Sequence, residues 1–145
     1  MLILGIDPGV NGGMAILGDG YAPATRKFDG ATEHDIAEWL REFPPVTAAF
    51  IERVASSPQM GVVSAFTFGR SYGFLRGLLV GSQVPFHEVS PAVWQKAMGC
   101  RTKGDKNVSK AAAQRLWPTL KITHANADAL LIAEYGRRIQ IGGAS

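Results

Sequence analysis

The feature that most constrains this chain is a short apolar run near its start, residues 2–6, which is followed directly by Asp7, Pro8 and Gly9. An apolar run of this length, ended by a turn signal, predicts a strand that is buried on both faces. A second apolar run, residues 14–17, follows the turn, so the two runs predict a hairpin. Asp7 is therefore expected at the end of a buried strand, where it either stabilises the turn as an Asx residue or binds a metal ion or phosphate.

A second buried strand is also followed by an acid. Residues 46–51 form an apolar run that leads into Glu52. Between the two acids, residues 24–28 predict a third strand of an antiparallel meander, and Thr32 is the expected N-cap of a helix that ends before Pro44. Two hydrophobic strands thus deliver a carboxylate to their ends.

A long helix is predicted over residues 62–80, and it carries glycines at every fourth position, Gly69, Gly73 and Gly77. Each glycine lowers helix stability by about 1 kcal/mol relative to alanine, so a row of them on one face indicates that another backbone packs closely there. That backbone belongs either to a crossing helix of the same chain or to a second subunit. Arg70 and Arg76 lie on other faces, as solvated charges or as contacts to phosphate.

The densest basic cluster follows a predicted edge strand over residues 84–89 and a helix from Pro91 to Met98. Asn107 is the expected cap of the next helix, which ends at Pro118. A solvated loop and a surface that contacts the phosphate backbone of a nucleic acid both account for the cluster. Its members are Lys96, Arg101, Lys103, Lys106 and Lys110.

The last predicted helix begins after Thr123 and is expected to end at Gly136 or at the arginines that follow it. His124 and Asp128 are four residues apart and so share one helical face. Asp128 stands among alanines and leucines, where an unpaired carboxylate would be costly to bury. This position indicates a cation or another partner for the Asp128 carboxylate.

Composition limits the class of protein. A chain of 145 residues that is 46% apolar predicts one globular domain over residues 1–145. Its one cysteine, Cys100, excludes an intramolecular disulfide and a cysteine metal cluster. No apolar run approaches the roughly 18 residues of a membrane span, and no signal-peptide pattern is present, so we expect a cytoplasmic protein without a membrane partner. A net charge of +3 is compatible with a polyanionic partner without requiring one.

In their order and spacing, the motifs resemble RuvC-type Holliday junction resolvases over nearly the whole chain, and are most similar to the bacteriophage and prophage branch. The resemblance implies an RNase H-like α/β fold, with a central mixed five-stranded sheet flanked by helices. It also implies a homodimer that nicks branched DNA with divalent metal ions, leaving 5′-phosphate and 3′-hydroxyl ends. The motifs are Ile6-Asp7-Pro8-Gly9, Ile51-Glu52, the segment 66–73, Ser90-Pro91-x-x-Trp94-x-Lys96, and Ala127-Asp128-Ala129-Leu130.

The resemblance also implies roles for individual residues. Asp7, Glu52 and Asp128 match three acids of the family's metal site, which would hold two Mg²⁺ ions, with Mn²⁺ as a substitute. His124 stands where the family commonly has a fourth carboxylate, and imidazole can bind a metal or move a proton. Lys96 and Lys106 resemble residues that hold the scissile phosphate. Further DNA contacts are expected from Arg70, Arg76, Arg101, Lys103 and Lys110, whereas Ala55 and Ser56 stand where the family has an aromatic wedge.

There are two alternatives to a nuclease. Sugar kinases and chaperone ATPases of the actin-like class share the first strand and turn, but they need two such domains, and 145 residues are too few. The second alternative is an RNase H-like protein that binds branched nucleic acid without cutting it, or an RNA-processing relative, which the replacement of an acid by His124 keeps open. The cellular role would be DNA recombination, or phage DNA debranching in an infected bacterial cell.

Overall fold

A computed structural model describes residues 1–142 of the chain as a five-stranded sheet with helices on both faces. The elements, in chain order, are β1 (Leu2–Asp7), β2 (Gly13–Gly18), β3 (Ala24–Lys27), α1 (Glu33–Arg41), β4 (Ala48–Glu52), α2 (Val62–Gly81), β5 (Phe86–Val89), α3 (Pro91–Ala97), α4 (Lys106–Leu116) and α5 (His124–Ile141).

The sheet is mixed, as the sequence predicts. Its strand order is β3-β2-β1-β4-β5, so β5 lies at an edge. The first three strands form the antiparallel meander, whereas β1, β4 and β5 are parallel. Strands β1 and β4 run in the same direction, with Ile6 opposite Ile51. Asp7 and Glu52 therefore lie side by side at the same end of these two strands.

Alternate residues of the strands build two separate cores. Leu4, Ile6 and Ile51 point to one face, where α1 and α2 pack on them. Ile3 and Phe50 point to the other face, which α3, α4 and α5 cover. Side chains alternate along a strand, so Asp7 shares the face of Ile3, and Glu52 shares the face of Phe50. Both acids therefore project toward the α3–α5 side.

Helix α5 lies directly against the middle of the sheet. A Cβ atom at Gly5 of β1 would lie 2.8 Å from the Cα of Ala133 and closer still to the carbonyl oxygen of Ala129. Only glycine allows this approach of a strand backbone to a helix backbone. The contact fixes α5 along β1 and brings the start of α5 to the end of β1 that carries Asp7.

Two helix boundaries differ from the prediction. Asp105, not Asn107, caps α4, because its carboxylate accepts a hydrogen bond from the Asn107 N–H at 3.0 Å. Gly136 does not end α5, which continues to Ile141. The ring of Phe50 lies where a side chain at position 136 would be, so this glycine serves packing rather than termination. The arginines after Gly136 also remain helical.

The glycine face of α2 has no partner among the residues that the structure describes. A Cβ atom at Gly69, Gly73 or Gly77 would meet no atom within 4 Å. The prediction that a helix of the same chain crosses α2 at this face is therefore wrong for residues 1–142. The alternative, that a second subunit packs there, stays a prediction. In the part of the chain that the structure describes, we find no helix with the length and apolarity needed to cross a membrane.

Candidate active site

Three carboxylates from distant parts of the chain meet at one cavity of about 360 Å³. The cavity lies at the end of the sheet where β1 and β4 finish. Asp7 comes from the end of β1, Glu52 from the end of β4 and Asp128 from the second turn of α5. Two basic side chains also line this cavity. Lys106 is the first residue of α4, and His124 is the first residue of α5.

Asp7 is held by the turn that follows it. The Gly9 N–H donates a hydrogen bond to its Oδ1 at 3.4 Å. Gly12 leaves space for the carboxylate, because a Cβ atom there would lie 2.9 Å from Oδ2. Burial, reinforced by repulsion from Asp128, raises the pKa of Asp7 to about 6, against the smaller opposing effects of Gly9 and Lys106. Asp7 thus accepts a hydrogen bond within the turn and also lines the cavity, and its role as a ligand of a metal ion or phosphate stays a prediction.

Glu52 is oriented by a buried tryptophan. The Trp94 Nε1–H donates a hydrogen bond to Oε2 of Glu52 at 2.8 Å, and Trp94 itself is fully buried. Burial raises the pKa of Glu52 to about 7, and repulsion from Asp7 and Asp128 adds to the rise, while the bond from Trp94 opposes it. One carboxylate oxygen is therefore occupied by the protein, and the other remains available at the cavity.

Asp128 has a similar arrangement on α5. Burial raises its pKa, whereas a hydrogen bond with the Ser109 hydroxyl and attraction from Lys106 and His124 lower it. Ser109 is itself buried in α4. Helices α4 and α5 thus position one acid, its hydrogen-bonding partner and two cationic or basic groups around the same space.

The structure does not assemble these groups into a finished metal site. Within residues 1–142, no three His, Cys, Asp or Glu side chains are arranged to hold an ion between them. The chemistry of the donors nevertheless fits a hard divalent cation, since three half-buried carboxylates supply oxygen ligands and repel one another without it. The hydrogen bonds from Trp94 and Ser109 are of the kind that orients metal-binding carboxylates from behind.

Several basic residues lie away from this cavity. Lys96, in the last turn of α3, is exposed and does not line it. Arg76 forms an ion pair with Glu88 at 3.2 Å, and Arg70 lies over the ring of Phe66. Arg101 and Lys103 are exposed between α3 and α4, and Lys110 is half-buried one turn after Lys106. Of the predicted phosphate contacts, the structure brings only Lys106 to the acids.

Three residues of the site had no role in the sequence analysis. They are Trp94, Ser109 and Phe68, the last of which lines the cavity from α2. A buried tryptophan needs an acceptor for its indole N–H, and this is the one signal that could have pointed from Trp94 to an acid. Sequence alone could not identify that acid, because Trp94 and Glu52 are 42 residues apart.

Comparison with known proteins shows the fold. No protein-family model and no curated protein matches the chain. Among solved structures, Thermus thermophilus RuvC in complex with a Holliday junction substrate matches with a TM-score of 0.67 and 18% sequence identity, covering 98% of this chain and 96% of that one. A further Thermus thermophilus RuvC structure matches with a TM-score of 0.65 and 20% identity, over 98% and 97% of the two chains. The expected RNase H-like fold is thereby confirmed.

Proposed function

We propose that this protein is a metal-dependent endodeoxyribonuclease that nicks Holliday junctions and other branched DNA, leaving 5′-phosphate and 3′-hydroxyl ends. The observation that carries the proposal is the convergence of Asp7, Glu52 and Asp128 on one cavity of a RuvC-like fold. Buried carboxylates with raised pKa values in a cleft are typical of catalytic sites.

Asp7, Glu52, Asp128 and His124 would hold the metal, two Mg²⁺ ions in our proposal, with Mn²⁺ as a substitute. When bound, such ions activate water and neutralise the charge that develops on phosphate oxygens. The protein's own groups prepare the site for this chemistry. Trp94 holds one oxygen of Glu52, and Ser109 interacts with Asp128, while both acids line the cavity.

Phosphate binding would rest on Lys106 and on the helix ends around it. Lys106 and His124 each begin a helix and line the cavity, so the N-termini of α4 and α5 lie beside the acids. Helix N-termini carry partial positive charge and free N–H groups, which favour a bound phosphate. The exposed Arg101 and Lys103 precede α4 and would extend this basic surface along the DNA backbone.

The proposed substrate is branched DNA, because one matching solved structure is RuvC in complex with a Holliday junction substrate. We also propose a homodimer, since two sites related by a twofold axis would cut two strands of a branch. The glycine face of α2, which nothing covers in the described chain, offers a surface for the second copy. Sedimentation velocity at several concentrations tests this, with a species of 15.5 kDa at all of them contradicting the dimer.

The setting that we propose is the cytoplasm of a bacterial or phage-infected cell, in recombination or in phage DNA debranching. A second candidate is a protein that binds branched nucleic acid without cutting it, or an RNA-processing relative. One observation favours it: the described acids and His124 are not arranged to hold an ion. A side chain of Glu52 or His124 that becomes ordered when metal is added would favour the nuclease over the protein that binds without cutting.

The decisive experiment is a cleavage assay on a labelled four-way junction, a three-way fork and a linear duplex, with Mg²⁺, Mn²⁺ or EDTA. We expect paired nicks in the branched substrates that require metal and fall by at least about 1,000-fold in Asp7→Asn, which keeps the size of the side chain but removes its charge. Asp29→Asn, an exposed residue outside this cavity, is the matched control. Tight junction binding without nicks in either metal would favour the binding protein instead.

A further inference from the structure

A second cleft adjoins the acidic cavity. It encloses about 410 Å³ between α2 and the segment that follows Glu52, and we call it the α2 cleft. None of its lining residues carries a charge. They are Val54, Ala55, Ser56, Met60, Ala65, Phe66, Phe68, Gly69 and Tyr72.

The α2 cleft presents aromatic surface to solvent. Phe66 is 69% exposed, and Phe68 and Tyr72 are half-buried beside it. Leaving a phenylalanine ring in water is unfavourable, and a concentration of aromatic groups in a cleft is typical of a binding site. Arg70 lies with its guanidinium carbon 6.0 Å from the centre of the Phe66 ring, which places a positive charge at the mouth of the cleft.

The cleft and the acidic cavity are adjacent. Phe68 lines both of them, and Val54 in the wall of the cleft is only two residues beyond Glu52. A DNA strand with one phosphate at the acids would therefore place a neighbouring nucleotide at the cleft. Aromatic side chains bind unpaired bases by stacking, whatever the base, because every base has a π-face.

We propose that the α2 cleft receives one unstacked nucleobase of the strand whose phosphate lies at Asp7, Glu52 and Asp128. This inference rests on the proposed function, since it takes the same DNA strand as the ligand. Uncharged walls and the cation at Arg70 suit a base attached to an anionic backbone. Among the lining residues that the structure describes, Ser56 alone offers a side-chain hydroxyl group, since the hydroxyl oxygen of Tyr72 is buried. The cleft would therefore accept any base with a weak sequence preference.

Gly69→Leu tests the proposal by filling the cleft from within. Gly69 lines the cleft, yet a Cβ atom there would meet nothing within 4 Å, so a side chain can start from this position without displacing protein atoms at its Cβ. Gly73→Leu is the matched control, because it lies one turn further on the same open helix face but does not line the cleft. Any effect on pairing with a second copy through that face would be common to both variants.

The measurement is the affinity for a four-way junction in EDTA, where no cleavage occurs, repeated with one abasic nucleotide at each position around the branch. For the wild type and Gly73→Leu, we expect one abasic position to weaken binding about ten-fold. Gly69→Leu should bind the intact junction about ten-fold less tightly, and the same abasic nucleotide should then have no further effect. Phe66→Ala should show the same loss of base dependence in part.

Equal behaviour of Gly69→Leu and Gly73→Leu, or abasic effects that persist in Gly69→Leu, would overturn the proposal. A loss of affinity that follows dissociation of a dimer and ignores the abasic nucleotide would identify a second copy of the chain as the occupant, which also overturns it. Binding without nicking in the presence of metal would contradict the proposed nuclease but leave the base site supported. The two failures are therefore distinguishable.

Discussion

At the scale of single residues, the hydrogen bond from Trp94 to Glu52 links a buried core residue to the acidic cavity. We predict that Trp94→Phe lowers nicking at neutral pH about ten-fold, in the range typical of lost outer partners of metal ligands. Because the bond lowers the pKa of Glu52, its loss raises that pKa further, and the pH profile of nicking should shift upward.

The control for Trp94→Phe is Trp39→Phe, which removes a half-buried indole of α1 that packs on Phe43 in the other core. Initial rates measured from pH 6 to 9 for both variants check the prediction. An unshifted profile in Trp94→Phe, with the rate reduced equally at every pH, would mean that Trp94 contributes packing alone.

The buried charge of Asp7 predicts a stability effect that is opposite in sign to its effect on activity. Its pKa of about 6 lies above the ordinary 3.8, so the ionised carboxylate destabilises the metal-free fold, fully so well above pH 6. As the pH falls below about 6, the folded protein takes up a proton, and the penalty declines until it disappears below the ordinary pKa of 3.8. We expect Asp7→Asn to raise the free energy of unfolding at pH 8 by about 1–2 kcal/mol, after allowance for solvent screening.

Urea unfolding in EDTA at pH 8 and pH 5 measures this effect, with Asp29→Asn as the control at an exposed position. The gain in Asp7→Asn should shrink toward pH 5. A gain in the free energy of unfolding that is the same at both pH values, or a loss at pH 8, would show that burial does not destabilise the ionised Asp7 carboxylate.

Sequence reasoning located Asp7 and Glu52 because their positions depend on local signals, an apolar run and the residues after it. It did not find the contacts of Trp94 and Ser109 with the acids, because these join parts of the chain whose proximity depends on the whole fold. The same distinction applies to Arg76, which the sequence predicted as a phosphate contact. Its pairing with Glu88 of β5 becomes visible only when α2 and the edge strand are placed side by side.

At the scale of elements, the sequence predicted one helix start and one helix end incorrectly, those of α4 and α5 respectively. Thr32 and Thr123 each cap a helix with a reciprocal hydrogen-bonded box, as their local pattern indicates. Asp105 and Asn107 are both good caps within three residues, and pattern alone does not choose between them. Gly136 has the composition of a helix end, but Phe50, 86 positions earlier in the chain, packs on it and the helix continues.

The contact of β1 with α5 predicts an unusually large effect for a small substitution. Gly5→Ala should reduce the free energy of unfolding by more than about 3 kcal/mol, because the added methyl group meets backbone atoms of Ala129 and Ala133 that cannot move without shifting α5. Gly77→Ala, in open space on α2, should instead stabilise the protein by about 0.5–1 kcal/mol.

Thermal or urea unfolding of the two variants checks these opposite signs. A small effect of Gly5→Ala would mean that α5 can slide along the sheet. In that case Asp128 would not be held in register with Asp7.

At the scale of the whole molecule, charge is distributed unevenly although the net charge is only +3. Helices α4 and α5 begin at the cavity, and the exposed Arg101 and Lys103 precede α4. We predict that junction binding weakens with salt and that Arg101→Ala combined with Lys103→Ala lowers the slope of log affinity against log salt by about 1–2.

The control for this pair is Arg41→Ala combined with Arg115→Ala, which removes the same charge elsewhere. Arg115 is nine residues beyond Lys106 in α4, about 13 Å along the helix from the cavity, and Arg41 ends α1. Fluorescence anisotropy between 50 and 300 mM salt, concentrations in the range over which phosphate contacts are resolved, gives both slopes. Equal slopes for the two pairs would show that the protein's total charge, rather than the loop before α4, governs binding.

The three carboxylates of the cavity come from positions 7, 52 and 128, and only the docking of α5 on β1 brings the third to the other two. During synthesis, a chain that has emerged as far as α4 carries Asp7 and Glu52 but lacks both Asp128 and the helix that packs along β1. The cavity with three carboxylates cannot form in such a chain, so the nuclease that we propose would be inactive in it. The order of the elements along the sequence thus delays assembly of the site until α5 has been synthesised.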